Sequence, residues 1–576
     1  MYVAAVPNRN SPPAILLRES FRDQGKVKNR TLANLSDWDP TQISALKAVL
    51  KGQAVGPLEQ AFHISRSWPH GHVAAVLGTL RKLQLDQLID PLPSRERDLT
   101  LALIVSRLLE PASKLATSRA LHPDTCQSSL NQCLHLGPLD EDNLYAALDW
   151  LLLRQPSLEY ALAQRHLHDG SLVLYDLTST YFEGRRCPLA KLGHSRDGKS
   201  DKLQIVIGLL TDQEGCPVSV EVFEGNTHDA KTVAVQIAKV RERFGLKQVV
   251  LVGDRGTLTS ARLREDFPSE LELRWITALR ADQIRPLLRE GAFQLTMFEQ
   301  RDLVEIEHPD YPGERLVVCY NPLLDEERTR KRKDLLAATE RELKKVEAAA
   351  QRTKRPLRGK EKIGLRVGKL LGRYKMGKHF AIEIEENSFR WTRKQEQIEE
   401  EGNLDGFYVV RTNVASPQLS SEQVVTSYKR LSGVEQAFRS LKTMDLHVRP
   451  IHHRLADRVR AHVLVCMLAY YVEWRLRAAL APLLFDDNDP AGAQEQRRSP
   501  VAPAQRSQAA QKKASRKRTE DGLPVHSFQT MLADLATICI NHIEPTLKNL
   551  RPFDVLTRPT MIQQRAFELL GVKLEM

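Results

Sequence analysis

Two aspartates stand at the ends of apolar runs. Leu172-Val173-Leu174-Tyr175 runs into Asp176, and Val249-Val250-Leu251-Val252-Gly253 runs into Asp254. A buried, unpaired carboxylate costs several kcal/mol. If the two strands are neighbours, their carboxylates sit side by side and repel unless a cation lies between them. Oxygen-only ligation favours Mg²⁺ or Mn²⁺ over zinc. Two such ions, about 4 Å apart, activate an attacking oxygen and stabilise a leaving one during in-line displacement at phosphorus. A third carboxylate is available in the helical stretch 421–443, where Tyr428, Glu435 and Lys442 recur every seven residues. That interval is about two helical turns, so the three lie along one stripe. Glu435 can reach the metals, while Lys442 and Tyr428 can hold a phosphate backbone above and below it.

The elements that must position these groups follow from composition and period. Residues 1–60 read as a small β-rich lobe ending in a helix capped by Asp39 with Pro40 in its first turn. Residues 61–165 are mainly helical, with two readings open: a lobe that binds DNA ends or a plain helical scaffold. From 171 to 280 the pattern is β-β-β-α-β-α-β, with dense Val and Ile and short polar separators. Residues 281–420 read as a β-rich insertion. It carries a charged helical arm, 325–375, with 18 Lys/Arg against 8 Asp/Glu. Helices return over 421–485. The Ala-, Gln-, Arg-, Ser- and Pro-rich stretch 486–525 is expected to be a disordered linker. A helical segment, 526–576, closes the chain.

These residues also carry a resemblance. The β-β-β-α-β-α-β order with Asp on the first and fourth strands, followed by a helix bearing Glu, resembles the RNase H-like DDE transposases. "YDLTSTYFEG", "GLLTDQEGCPVSVEVFEGNTHD" and "VGDRGTLTS" resemble the blocks around the first two aspartates of bacterial insertion-sequence transposases. "YKRLSGVEQAFRSLK" resembles the Y-x2-R-x3-E-x6-K signature of one of their superfamilies, in which the insertion before the Glu is β-rich. The resemblance implies an α/β, RNase H-like mixed sheet in a multidomain chain. It implies Asp176, Asp254 and Glu435 as catalytic, metal-binding triad, and Tyr428 and Lys442 as DNA contacts. One position departs: the signature's Arg falls at Leu431. Arg430 lies about 140° from Glu435 around the helix and Arg439 about 40°. Both are candidate DNA contacts, with Arg439 the better placed to take over the phosphate.

The bulk properties agree with this expectation without demanding it. The 576 residues carry a formal charge of +12, which suits a nucleic-acid partner. The seven cysteines form no CxxC pair, so neither a zinc ribbon nor a disulfide framework is indicated. No signal peptide is evident, and the longest apolar stretch, 463–472, is too short to span a membrane. The expected protein is thus a cytoplasmic, nucleoid-associated bacterial transposase. It would bind terminal inverted repeats and target DNA, pair two ends as a dimer, and cut and join DNA with two Mg²⁺ or Mn²⁺ ions. The alternatives are a catalytically silent DNA-binding derivative and an RNase H-like nuclease that does not join. His228 and Asp229 are placed either at the rim of the site or in a plain turn. The basic loop "LHVRPIHHR" is read as a DNA contact rather than a zinc site, since the spacing of His447, His452 and His453 and the missing Cys partners disfavour zinc.

Overall fold

The computed structural model describes residues 1–9, 11–53, 61–199, 201–267, 273–546 and 551–575. The N-terminal lobe is an antiparallel meander of β1 (Tyr2–Asn8), β2 (Ser11–Asp23) and β3 (Lys26–Asn34). Helix α1 (Pro40–Leu50) follows, with Asp39 accepting the Thr41 N–H at 2.7 Å. A strand, β4 (Phe62–Pro69), then leads into six helices. They are α2 (Gly71–Lys82), α3 (Leu85–Ile89), α4 (Arg95–Leu109), α5 (Lys114–Leu121), α6 (Leu130–Leu134) and α7 (Glu141–His166).

The sheet that follows holds the two aspartates. β5 (Leu172–Tyr181), β6 (Gln204–Thr211) and β7 (Pro217–Glu224) form an antiparallel meander. Every residue of β6 is buried, which explains its unbroken apolar sequence. Helix α8 (Val233–Ala238) crosses to β8 (Val250–Gly253), and α9 (Ser260–Asp266), capped by Thr259, crosses to β9 (Arg274–Ala278). β8 pairs in parallel with β5, and β9 in parallel with β8.

The next elements are α10 (Ala281–Arg289), β10 (Leu303–Ile306), β11 (Arg315–Tyr320), α11 (Pro322–Gln351) and α12 (Lys360–Tyr374). After them come β12 (Phe380–Ile384), β13 (Phe389–Arg393), α13 (Gln395–Gly402) and β14 (Phe407–Thr412). β14, β11 and β10 continue the main sheet beyond β9, so the strand order is β10-β11-β14-β9-β8-β5-β6-β7. The result is an α/β chain built on an eight-stranded mixed sheet, with the RNase H-like connectivity at its centre.

Two helices in line, α14 (Ser421–Lys429) and α15 (Leu431–Arg439), run into a π-helical turn, Ser440–Met444. α16 (Ala456–Leu480) is buried along most of its length, from Val459 to Glu473, and packs against α4, α7 and β7. Then come α17 (Pro490–Glu495), α18 (Gln508–Arg516), α19 (Phe528–Ala536), β15 (Cys539–Pro545), β16 (Phe553–Leu556) and α20 (Met561–Leu570). No helix among the described residues is long and apolar enough to cross a membrane.

Several segments differ from their sequence reading. A boundary at 281 divides one sheet, because β14 pairs antiparallel with β9. What stands apart within 281–420 is the arm α11–α12 with the β12–β13 hairpin, which has its own small core around Leu343, Val346 and Ile363. The C-terminal segment 526–576 is not purely helical: β15 pairs with β4 on one side and β16 on the other. That partner lies more than 470 residues earlier, so no local pattern announces it. The stretch 486–525 is not featureless either. Ser507 caps α18, Val501 is buried in the main core, and Lys513 donates to the carbonyls of Ala481 and Asp486. Its low-complexity composition hides a few residues that dock through backbone groups. Finally, 421–443 is a broken helix, with the axis interrupted at Arg430 next to the weak helix formers Ser432 and Gly433.

Candidate active site

The register of β5 against β8 decides the geometry. Tyr175 pairs with Gly253, the last couple of the parallel ladder. The next residues along the chain are Asp176 and Asp254, so the two aspartates stand side by side where the parallel ladder ends. Asp176 is not at the end of its strand, as the apolar run suggests. β5 continues to Tyr181 because β6 keeps pairing with it. It stands instead where the parallel partner ends.

The backbone around each aspartate fixes its orientation. The Leu177 N–H donates to Asp176 Oδ1 at 2.8 Å. The N–H groups of Gly256 and Thr257 donate to Asp254 Oδ1 at 3.1 and 2.7 Å, which closes a tight turn. Burial, with Asp254 and Glu435 nearby, pushes the Asp176 carboxyl up to about 7, while the Leu177 N–H and Arg196 oppose this.

Asp176 and Asp254 line a groove of about 660 Å³ together with Tyr428, Glu435, Arg439 and Lys442. The structure therefore brings together six of the seven residues singled out in the sequence. Glu435 is exposed and forms a 3.7 Å ion pair with Arg439 one turn on. Tyr428 is largely buried; burial, and then Asp254, push its phenol up to about 12. Lys442 donates to the Ser179 carbonyl at 2.5 Å and to Asp197 Oδ1 at 3.1 Å. The seventh, Arg430, turns away and donates to Gln213 Oε1 at 3.0 Å, as its angle around the helix dictates.

Other residues line the groove too. Arg196, Asp197 and Lys429 escaped the sequence reading, whereas Arg449 lies in the basic loop "LHVRPIHHR" read there as a DNA contact; the Lys429 ammonium is held by the carbonyls of Pro500 and Val501 at 2.6 and 2.9 Å. The only local signal for the first two was an Arg-Asp pair in the polar loop "GHSRDGK". Asp229 opens the short helical turn Asp229–Thr232, with His228 before it, and is ion-paired with the groove residue Arg196. His453 faces inward instead, its ring 5.9 Å from Tyr145 and 5.2 Å from His462.

The donor chemistry suits a hard divalent cation: three carboxylates line one groove, and burial with Asp254 and Glu435 nearby makes Asp176 harder to ionise than a free carboxyl, which a bound cation would offset. The triad is open in this conformation. Among the described residues, the trio whose ligand atoms lie within 4.8 Å of one another is another, His166, Asp212 and Cys216. There Asp212 Oδ1 accepts the N–H groups of Glu214 and Cys216 and so shapes the β6–β7 turn.

Paired carboxylates on adjacent strands, a helix bearing a glutamate and several cations lining the same groove are the kind of donor set that metal-assisted phosphoryl transfer uses. A family model described as a transposase DDE domain matches residues 168–472, more than half of the chain, and the protein belongs to that family. A second model, IS1634 family transposase, N-terminal domain, matches residues 4–57. No curated protein matches the chain. A cryo-EM structure of a piggyBac transposase synaptic complex with hairpin DNA is similar at 10% identity, over 81% of this chain and 76% of that one, with a TM-score of 0.31. A likeness that low carries no argument. Family membership makes the chain a DNA-binding, DNA-cleaving and DNA-joining enzyme that uses a divalent metal.

Proposed function

We propose that this chain is the cut-and-paste transposase of a bacterial insertion sequence. It binds the element's terminal inverted repeats, pairs two ends as a dimer, nicks each end and joins the freed 3′-hydroxyl to target DNA. The observation that carries the reading is the Tyr175–Gly253 register, which sets Asp176 beside Asp254 across a groove from Glu435.

Bound at these oxygens, a pair of Mg²⁺ or Mn²⁺ ions supplies the Lewis acidity that in-line displacement at phosphorus needs. The protein's own residues do the rest. Asp176 and Asp254, held by backbone N–H groups, are the fixed donors. Glu435 is the donor brought in from the facing helix. Tyr428, Arg439 and Lys442 hold DNA phosphates along the same stripe, and phosphate contacts of this kind make binding salt-dependent. Arg430, turned to Gln213, takes no part. The chain acts in the cytoplasm, on the nucleoid.

The test is a cleavage and strand-transfer assay with Mg²⁺ and DNA carrying the element's own ends. Wild type is expected to cut and join. Asp254→Asn and Glu435→Gln are expected to bind the ends and do neither. Variants that cut as well as wild type would refute the site. Cutting without joining would identify a nuclease, and binding without cutting by all three proteins a silent derivative.

A further inference from the structure

The groove contains a fourth carboxylate, Asp197, whose surroundings differ from those of the triad. Its Oδ1 meets Lys442 Nζ at 3.1 Å and its Oδ2 meets Arg449 Nη1 at 2.7 Å. The side chains of Asp197, Lys442 and Arg449 are 15%, 11% and 16% exposed. Both oxygens of Asp197 are thus engaged by cations, which sets it apart from a metal ligand.

The cluster is bolted to the far end of β5. The Arg196 N–H donates to Ser179 Oγ at 2.8 Å, and Lys442 donates to the Ser179 carbonyl at 2.5 Å. The Arg449 guanidinium lies over the Tyr181 ring, 4.6 Å from its centroid. Two cations share one anion here, so the cluster presents a net positive charge into a groove that holds three other carboxylates. Holding two like charges together in a half-buried place is unfavourable unless a second anion joins them. A guanidinium with one arm on Asp197 keeps other N–H donors in its plane, the geometry that grips phosphate.

We infer that Arg449 is a second DNA-phosphate contact beside Lys442, and that Asp197 is a positioning residue that holds the two cations in register with the metal-binding carboxylates. This rests on reading the groove as the DNA-cleaving site. The loop 194–198 thereby acquires a role: it connects the strand that carries Asp176 to the turn that carries Lys442.

The experiment measures binding of a duplex carrying the element's end across a salt series, and cleavage kinetics with Mg²⁺. The proteins are wild type, Arg449→Gln, Arg449→Lys and Asp197→Asn, each checked for a cooperative melt. Arg449→Gln is expected to lower the salt slope by about one, the signature of one lost phosphate contact, and Arg449→Lys to restore it. Asp197→Asn is expected to keep the slope and KM but lower kcat by about tenfold or more, as a misplaced binding group does. An Arg449→Gln protein with the wild-type slope would make Arg449 merely structural. An Asp197→Asn protein that binds more tightly with unchanged kcat would make Asp197 a competitor of DNA. Should Asp197→Asn fail to fold, the Arg449 pair still decides the phosphate contact. A wild type that neither binds nor cuts would overturn the reading of the groove itself, whereas an active wild type with unaltered variants overturns only this inference.

Discussion

The two strand aspartates and the helical glutamate belong to one groove but are held in opposite ways. Asp176 and Asp254 follow the last couple of a parallel ladder and are gripped by backbone N–H groups. Glu435 rides on a short helix between a break at Arg430 and a π turn at Ser440, and its carboxylate is exposed. The difference is one of support: the sheet holds its two carboxylates in place, with burial penalising the charge on Asp176, and the helix carries the third in the open at little cost to stability.

Activity should not distinguish the two regions. Asp176→Asn, Asp254→Asn and Glu435→Gln should each lower cleavage by roughly 10³-fold or more, because a metal's contribution of several kcal/mol is lost in every case. Single-turnover cleavage of end DNA checks this. A Glu435→Gln protein within tenfold of wild type would reduce the helix to a scaffold.

Stability should distinguish them. The Asp176 carboxyl is raised from 3.8 to about 7 in the folded chain, chiefly by burial. Between those values the folded state holds a proton that the unfolded state releases, so this group's contribution is greatest below 3.8 and is lost as pH rises through about 7. Asp176→Asn should remove that dependence. In metal-free buffer near neutral pH it should be the more stable protein, by roughly 2–4 kcal/mol. Denaturant titrations of both proteins across this window test the sign. Mg²⁺ should then stabilise wild type more than Asp176→Asn, since binding only the folded state raises its stability.

Glu435→Gln should leave stability within about 0.5 kcal/mol of wild type, since the exposed pair with Arg439 contributes little. A larger loss would mean that Glu435 is braced by its surroundings after all. A similarly small effect, of the opposite sign, is expected at Gly433, where the backbone of α15 meets the β6–β7 turn. A methyl there would lie 3.8 Å from Gly215 Cα, an ordinary contact. Gly433→Ala should therefore stabilise the chain by up to about 1 kcal/mol through helix propensity and leave cleavage intact. Lost cleavage in a stable Gly433→Ala protein would show that α15 must shift to deliver Glu435.

What was legible in the sequence was what short-range pattern encodes. Apolar runs marked β5 and β8, and the seven-residue spacing of Tyr428, Glu435 and Lys442 survived the break at Arg430, because all three still line the groove. The partners of those residues were not legible. Asp197 sits in a polar loop, and it meets Lys442 and Arg449 only because the chain returns about 250 residues later. The same holds for β4, which has no sheet until β15 arrives from the far end, and for Val501, a core residue inside a stretch whose composition reads as solvent-exposed.

The sequence alone therefore determined the chemistry on offer: carboxylates on apolar strands, an acidic and basic stripe on a helix, and the order of elements around them. Strand and helix periods are local, and they place a side chain on a face without reference to the rest of the chain. The tertiary structure alone decided which faces meet. The register that aligns Tyr175 with Gly253, the pairing of Asp197 with two cations, and the turning of Arg430 toward Gln213 all depend on contacts between distant segments. Such contacts form only when the whole fold repays the entropy of bringing those segments together.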